Sequence, residues 1–223
     1  MSAAAADPSR TVLRLRVALR DLKPTPWRRI EVVAADTSLA ELHRVIQTAM
    51  GWEDQHLHCF QILGRRHDGD TPDLTRIRLD DFHLRAGERF LYTYNHFVPW
   101  VHDVRVEAVV SRRPRRYYPH CLAGRHVCPP EWCSGPEALD EIRSDLLGLG
   151  LVEDLEFMAA FGSAVVEMSE GTVGDLLDTV GEDKLRRAID RQDRRDALLA
   201  EFDRHRTNTL LAELGSSTAE ATA

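Results

Sequence analysis

From Thr11 to Arg20 the chain alternates. Leu13, Leu15, Val17 and Leu19 fall on one side, and Arg14, Arg16 and Arg20 on the other. A period of two sends successive side chains to opposite faces, so the segment reads as a half-buried β-strand. Such a strand must pair at its edges and have its apolar face covered. Lys23-Pro-Thr-Pro26 is a turn signal, and Trp27–Val33 reads as the returning strand of a hairpin.

The cover comes next. Ser38 followed by Glu41 has the form of a capping box. Leu39, Leu42, Val45, Ile46, Ala49 and Met50 then recur on one face of a helix that Gly51 ends. His56–Leu63 is expected to be a strand with His58, Phe60 and Ile62 on one face. Arg65–Thr75 is polar and reads as a loop. Arg89–Tyr94 and Trp100–Val110 follow as strands, the latter with Trp100, His102, Val104 and Val106 on one face. The order is ββαβ, a long loop, then ββ. It predicts an α+β domain over residues 11–150, with one helix laid across a mixed, β-grasp-like sheet.

Residues 1–10 and 215–223 are expected to be disordered. Residues 151–214 are expected to form a helical C-terminal region. The predicted helices are 136–149, 151–161, 172–180 and 183–213, with glycines at 148, 150, 162, 171, 174 and 181 as breaks. Asp183–Arg206 mixes charges of both signs at helical spacing, which fits a salt-bridged exposed helix or a protein-binding one.

A net charge of −7 gives no global attraction to nucleic acid or to an anionic membrane. No stretch approaches the roughly 20 apolar residues that span a bilayer, and Met1–Ser9 lacks the form of a signal peptide. The expected compartment is the cytoplasm, where stable disulfides are uncommon. The sequence does not set an oligomeric state.

That compartment bears on the cysteines. Three of the four, Cys121, Cys128 and Cys133, occupy one short segment with the spacing C-x6-C-x4-C. Gly124, Pro129 and Pro130 allow the chain to reverse around them. Thiolates bind zinc strongly, and a tetrahedral site needs four ligands, so the reading is a structural zinc site. His120 and His126 are nearby candidates for the fourth ligand. His58 and His102, inward on their strands, are distant ones. Buried inert thiols and a reactive thiol are the alternatives. Trp52, Asp54, His56 and His58 form a second cluster, read as metal-binding or acid–base, or as packing and hydrogen bonding.

Arg28 and Arg29 beside Trp27, and Arg112, Arg113, Arg115 and Arg116 around Pro114, are candidate contacts to nucleic-acid phosphates. Arg14, Arg16 and Arg20 would make one sheet face basic. A solvated strand face and a solvated connection account for the same residues.

These motifs occur in a recognisable order. Pro26-Trp-Arg-Arg-Ile30, Leu39-Ala-Glu-Leu-His43 with Ile46-Gln47, Ala49-Met-Gly-Trp52 and His56-Leu-His58 with Phe60 come first. Tyr92, Tyr94, Trp100 and His102 follow, then Tyr118-Pro119, Cys121, Cys128-Pro-Pro-Glu131, Cys133 and Gly135. Over most of 11–140 the chain resembles the plasmid pRiA4b ORF-3-like proteins, some of which are passengers of insertion elements. The resemblance implies an α+β module linked with mobile DNA and supplies no established activity.

The family pattern Y-D-F-G-D-x-W-x-H reads here Tyr94-Asn-His-Phe-Val-Pro-Trp-Val-His102. Asn95 and Val98 replace the two carboxylates. If those acids served chemistry, this chain has lost it. If they capped a turn, Asn95 can still do so. The leading expectation is a non-enzymatic binding or accessory module with a structural metal. The alternatives are a metal-dependent enzyme on nucleic acid, with His56, His58 and His102 near the site, and a protein-interaction adaptor working through the helical tail.

Overall fold

In the computed structural model, which describes residues 11–167 and 172–220, the opening hairpin forms as the alternation predicts. It consists of β1 (Thr11–Leu19) and β2 (Trp27–Val33), paired with Leu15 opposite Ile30. The helix α1 (Leu39–Met50) follows, then β3 (His58–Ile62), β4 (Arg65–Asp68), β5 (Arg89–Tyr94), β6 (Trp100–Ser111) and β7 (His120–Arg125). The strands form one seven-stranded sheet in the order β4-β3-β5-β6-β1-β2-β7. The fold is α+β.

Two expectations about the sheet are corrected. It is not mixed: among the described residues every strand pairing is antiparallel, with no parallel pair for a β-grasp-like arrangement. Arg65–Thr75 is not wholly a loop, because Arg65–Asp68 pairs with β3 as the edge strand β4. A polar edge strand carries no apolar alternation on either face to reveal it.

One face of the sheet is apolar, built from Leu15, Leu19, Ile30, Phe60, Tyr92, Trp100, Val104 and Val106. Helix α1 contributes Leu39, Leu42, Val45, Ile46, Ala49 and Met50 to this core. Its start is fixed by the predicted capping box: Glu41 N donates to Ser38 Oγ at 3.1 Å, and Ser38 N donates to Glu41 Oε2 at 2.7 Å. Gly51 ends the helix at φ 86°, a left-handed conformation that glycine adopts without a Cβ penalty.

The chain divides by contacts into two units. Of the described residues, the first comprises 11–136 and 201–220, and the second 137–167 and 172–200. The second holds most of α2 (Pro136–Leu147), then α3 (Leu149–Glu167), α4 (Val173–Val180) and α5 (Glu182–Leu199). Gly150 and Gly162 lie inside α3 rather than breaking it. Within this unit Asp154 on α3 accepts from Arg191 Nε and Arg195 Nη2 on α5, at 2.7 and 2.5 Å.

The predicted helix 183–213 is two helices. Asp203 starts the second by accepting from His205 N and Arg206 N at 2.7 and 3.0 Å, an N-cap that opens α6 (Arg204–Glu220). Helix α6 belongs to the first unit and packs on β7 and α1. Asn208 there exchanges hydrogen bonds with the backbone of Cys121. The helix runs on into the stretch from 215, where the sequence predicts disorder; 1–10 and 221–223 lie outside the described residues. Among the described residues no helix is long and apolar enough to cross a membrane.

Candidate functional site

Strand parity turns His58 and His102 toward the face that α1 covers, as the alternation predicts. They lie on either side of Tyr92, with ring centroids 6.0 and 5.2 Å from the phenol. His102 is fully buried; its Nδ1 lies 3.0 Å from Trp100 O and its Nε2 has no partner. Burial disfavours the charged imidazolium and pushes the pKa of His102 down to about 4. The same cause brings His58 to about 4.

The residue that organises this region is His43, on α1. Its imidazole stacks flat on His58, with centroids 3.5 Å apart and planes 4° apart. Its Nε2 lies 2.7 Å from Asp54 Oδ1 and its Nδ1 lies 2.8 Å from Tyr92 Oη. A carboxylate only accepts, so Nε2–H donates to Asp54 and Nδ1 accepts from the Tyr92 hydroxyl. Gln47 Nε2 donates to the same Tyr92 oxygen at 2.7 Å. Burial lowers the pKa of His43 against the opposing pull of Asp54, which keeps the ring neutral in this chain of bonds.

Local backbone explains how Asp54 reaches His43. Asp54 has φ 58°, a left-handed conformation tolerated by Asp, just past the helix end. Trp52 Nε1 donates to Pro129 O at 2.7 Å, and Glu53 N donates to Glu131 Oε2 at 2.6 Å. Glu131 also accepts from the Tyr94 hydroxyl, which itself accepts from Gln55 N at 2.7 Å and His56 N at 3.2 Å. The cysteine segment thus clamps the loop carrying Asp54 and His56. His56 contributes its backbone there.

The three thiols do not converge. Among the described residues, the groups whose ligand atoms approach within 4.8 Å of one another are His43, Asp54 and His58, and separately Cys59, Asp68 and His96. Cys121 is buried on β7 opposite Ile30, Cys128 lies 3.2 Å from Met50 Sδ, and Cys133 is buried beyond Pro130. All four cysteines are thiols. Burial raises the pKa of Cys121, and brings that of Cys128 to about 11, which suits packing rather than nucleophilic use. Of the proposed fourth ligands, His120 is paired in register with Glu31 and His126 sits at φ 61° past β7.

The arginines sort by face. Arg28 is not a surface phosphate contact: it is 2% exposed, on the core side of β2. Its guanidinium donates to Ala49 O at 2.8 Å, closing the carbonyl end of α1, and to Arg125 O and His126 O at 3.2 and 2.8 Å. Phe202 covers it, with the ring centroid 3.9 Å away. Gly124 makes room, since a Cβ there would sit 2.5 Å from Phe202 and 2.8 Å from Arg28. In the predicted basic run, Arg112 pairs with Asp36 and Arg116 with the buried Glu31, while Arg113 and Arg115 are exposed.

Arg29 points the other way, and there the structure assembles a feature that one-strand reading missed. Arg89 lies directly opposite Arg105, Arg105 opposite Arg16, and Arg16 opposite Arg29. Four arginines therefore stand in a row across β5, β6, β1 and β2. Arg29 pairs with Glu107. Arg16, Arg89 and Arg105 have no carboxylate within ion-pair distance among the described residues. With Arg20, Asp21 and Asp103 they line a depression of about 300 Å³.

Asn95 stands where the family pattern has its first carboxylate. It has φ 61°, and its Oδ1 accepts from Phe97 N at 3.1 Å and Val98 N at 3.3 Å, so the turn before β6 is capped without a carboxylate.

The fold and these clusters define a helix-backed antiparallel sheet with a histidine–tyrosine core at one end and an arginine-bearing opposite face. The chain belongs to the plasmid pRiA4b ORF-3-like protein family, whose pattern matches residues 11–147. It is 33% identical over 143 residues to the uncharacterized protein y4hQ of Sinorhizobium fredii, a match covering 59% of this chain and 71% of that protein. It is also similar to the crystal structure of a protein of unknown function, MM3350, from Methanosarcina mazei Go1. That likeness has a TM-score of 0.57 and 28% identity, covering 65% of this chain and 86% of the other.

Proposed function

We propose that the chain is a non-enzymatic binding module whose arginine-bearing sheet face engages the phosphate backbone of nucleic acid. The observation that carries this reading is the register row Arg89, Arg105, Arg16 and Arg29. Like charges placed directly opposite across strands destabilise a sheet. In a chain of net charge −7 the row holds four arginines against two flanking carboxylates on the same face, Glu107 paired with Arg29 and Asp103 paired with Arg20. Neighbouring strands stand about 4.8 Å apart, so the row spans about 14 Å, the axial length of about four phosphates of one B-form strand. An anionic backbone laid along it would relieve the repulsion.

A binding role is favoured over a catalytic one by the histidine cluster itself. The Asp54–His43–Tyr92 chain has the form of a proton relay, but its terminal hydroxyl is completely buried and cannot meet a substrate. The mobile-DNA association suggested by the family motifs fits the same reading.

The test is fluorescence anisotropy of a labelled oligonucleotide over a range of salt concentrations. Affinity is expected to fall with salt. Arg16→Ala and Arg105→Ala are each expected to reduce the log–log slope by about one. Absence of binding at low salt, or slopes unchanged in both variants, would rule this reading out.

A further inference from the structure

A cavity of about 550 Å³ opens in the first unit and shares no residue with the arginine row. Segments far apart in the sequence enclose it: the chain leaving β2, helix α1, Arg78, the crossover from β6 to β7, and helix α6. A cleft of this size is that of a small-molecule site.

Its floor is apolar. Val33 at the end of β2 and Val45 on α1 are each 3% exposed. Tyr118, Pro119 and Leu214 add apolar surface to the lining. The Arg112 guanidinium lies over the Tyr118 ring, 5.9 Å from its centroid, so two flat groups stand together there. Gly215 lets α6 approach this crossover, since a Cβ would stand 3.4 Å from Tyr118 O.

The polar lining carries an excess of one positive charge: Arg44, Arg78 and Arg112 against Asp36 and Glu41. Helix α1 turns Glu41, Arg44 and Val45 to the cavity, at positions i, i+3 and i+4 of one helix face. Glu41 is committed to the capping box, accepting from Ser38 N at 2.7 Å and Ser38 Oγ at 2.8 Å. Arg78 Nη1 lies 3.3 Å from Glu41 and donates to Asp36 O at 2.8 Å, which ties down the loop after β2. Arg112 bonds the Asp36 carboxylate through one nitrogen at 3.3 Å. The two acids thus pair with Arg78 and Arg112, and exposed Arg44 has no carboxylate within ion-pair distance among the described residues.

We infer that this cavity binds a small organic carboxylate with a flat apolar body. The carboxylate pairs with Arg44, whose planar guanidinium can meet it through two parallel N–H bonds. The body lies over Val33 and Val45, against the Tyr118 ring. A monoanion matches the single uncompensated charge. A doubly charged phosphate would meet Asp36 and Glu41 in the same cavity, and their like charge opposes it. The cavity and the arginine row are separate, so either assignment can fail alone.

The experiment is an NMR titration of the isotope-labelled full chain with 2-naphthoate. Parallel titrations use 2-naphthylmethanol and 2-naphthyl phosphate, which carry the same body with an uncharged or a doubly charged head. Naphthoate is expected to shift the amides of Val33, Thr37, Arg44, Tyr118 and Gly215. It is expected to bind at least about tenfold more tightly than either analogue, the scale of one charge-assisted hydrogen bond. Arg44→Ala puts a strong helix former on an exposed helix position, so the fold is expected to survive. This variant is expected to weaken naphthoate by about tenfold and to leave naphthylmethanol unchanged. Arg113→Ala, exposed and outside the lining, is expected to change neither. No naphthoate binding at millimolar concentration overturns the proposal. So do shifts confined to other residues, equal affinity for either analogue, affinity unchanged in Arg44→Ala, or an equal loss in Arg113→Ala.

Discussion

The imidazole of His58 is clamped between His43, stacked 3.5 Å away, and the bare α-carbon of Gly69. Gly69 has no positive φ, so its backbone would accept alanine; the obstacle is space. A Cβ would stand 2.5 Å from His58 Cε1, and the ring cannot retreat because His43 occupies the other side. Gly69→Ala is therefore expected to destabilise the first unit by about 1–3 kcal/mol, the usual cost of overpacking. Urea denaturation monitored by tryptophan fluorescence measures it. A variant as stable as the parent would mean that the ring is not confined.

Arg28 joins the carbonyl end of α1 to the chain leaving β7, with Phe202 stacked on its guanidinium. Truncation would strip several buried carbonyls of their donor at once. Arg28→Ala is expected to cost about 3 kcal/mol or more, by summing losses of buried partners. Arg28→Lys is expected to recover little, because an ammonium cannot fork to carbonyls on two sides as a guanidinium does. Thermal melting of the two variants tests this. A lysine variant of parental stability would reduce Arg28 to a mere positive charge.

This residue also shows where the sequence stops being legible. The motif Trp27-Arg28-Arg29 reads as a pair of surface cations, yet parity alone sends the two guanidinia to opposite faces. The strands β1, β2, β5 and β6 are readable because large apolar residues recur along them. The edge strands β4 and β7 are not. Arg65–Asp68 is wholly polar, and His120–Arg125 has a single large apolar residue, Leu122, and a glycine inside it, so it shows no period of two.

The inward direction of His58 and His102 follows from the same alternation. The part of His43 does not, because it depends on the turn at Asp54 and on strands far along the chain. A local trace exists: His43 and Gln47 are four residues apart on α1, a polar pair beside the apolar stripe. The arginine row is legible only from register, which no single strand contains.

His102 predicts a dependence of stability on pH. Its pKa lies at about 4 in the folded chain against an ordinary 6.5. Between these values the unfolded chain binds the proton and the folded chain does not. The stabilisation is thus complete above about pH 6.5 and is lost as the pH falls toward the folded value. Between about pH 7 and pH 5 the loss due to this residue is expected to be about 2 kcal/mol. His102→Leu should flatten the profile by that amount in urea titrations with chelator present. A variant that keeps the full acid slope would assign it to other groups.

The second unit depends on a buried ion pair that can be tested by itself. Asp154 accepts from Arg195, whose side chain is 1% exposed, and from Arg191. These partners hold the Asp154 carboxyl at a pKa of about 2, below its ordinary 3.8. The pair's contribution is therefore present above about pH 4 and fails only as the pH approaches the folded value. Asp154→Asn removes the charge and leaves Arg195 buried without its carboxylate, which costs about 3–5 kcal/mol for a pair broken on one side. The expected result is earlier unfolding of residues 137–200, read as protease cleavage within α3 or α5 at temperatures the parent withstands. Replacing both partners, as Asp154→Leu with Arg195→Met, should restore much of the loss, because an apolar pair of similar volume carries no desolvation cost. Equal protease resistance of Asp154→Asn and the parent would show that the pair does not hold these helices together.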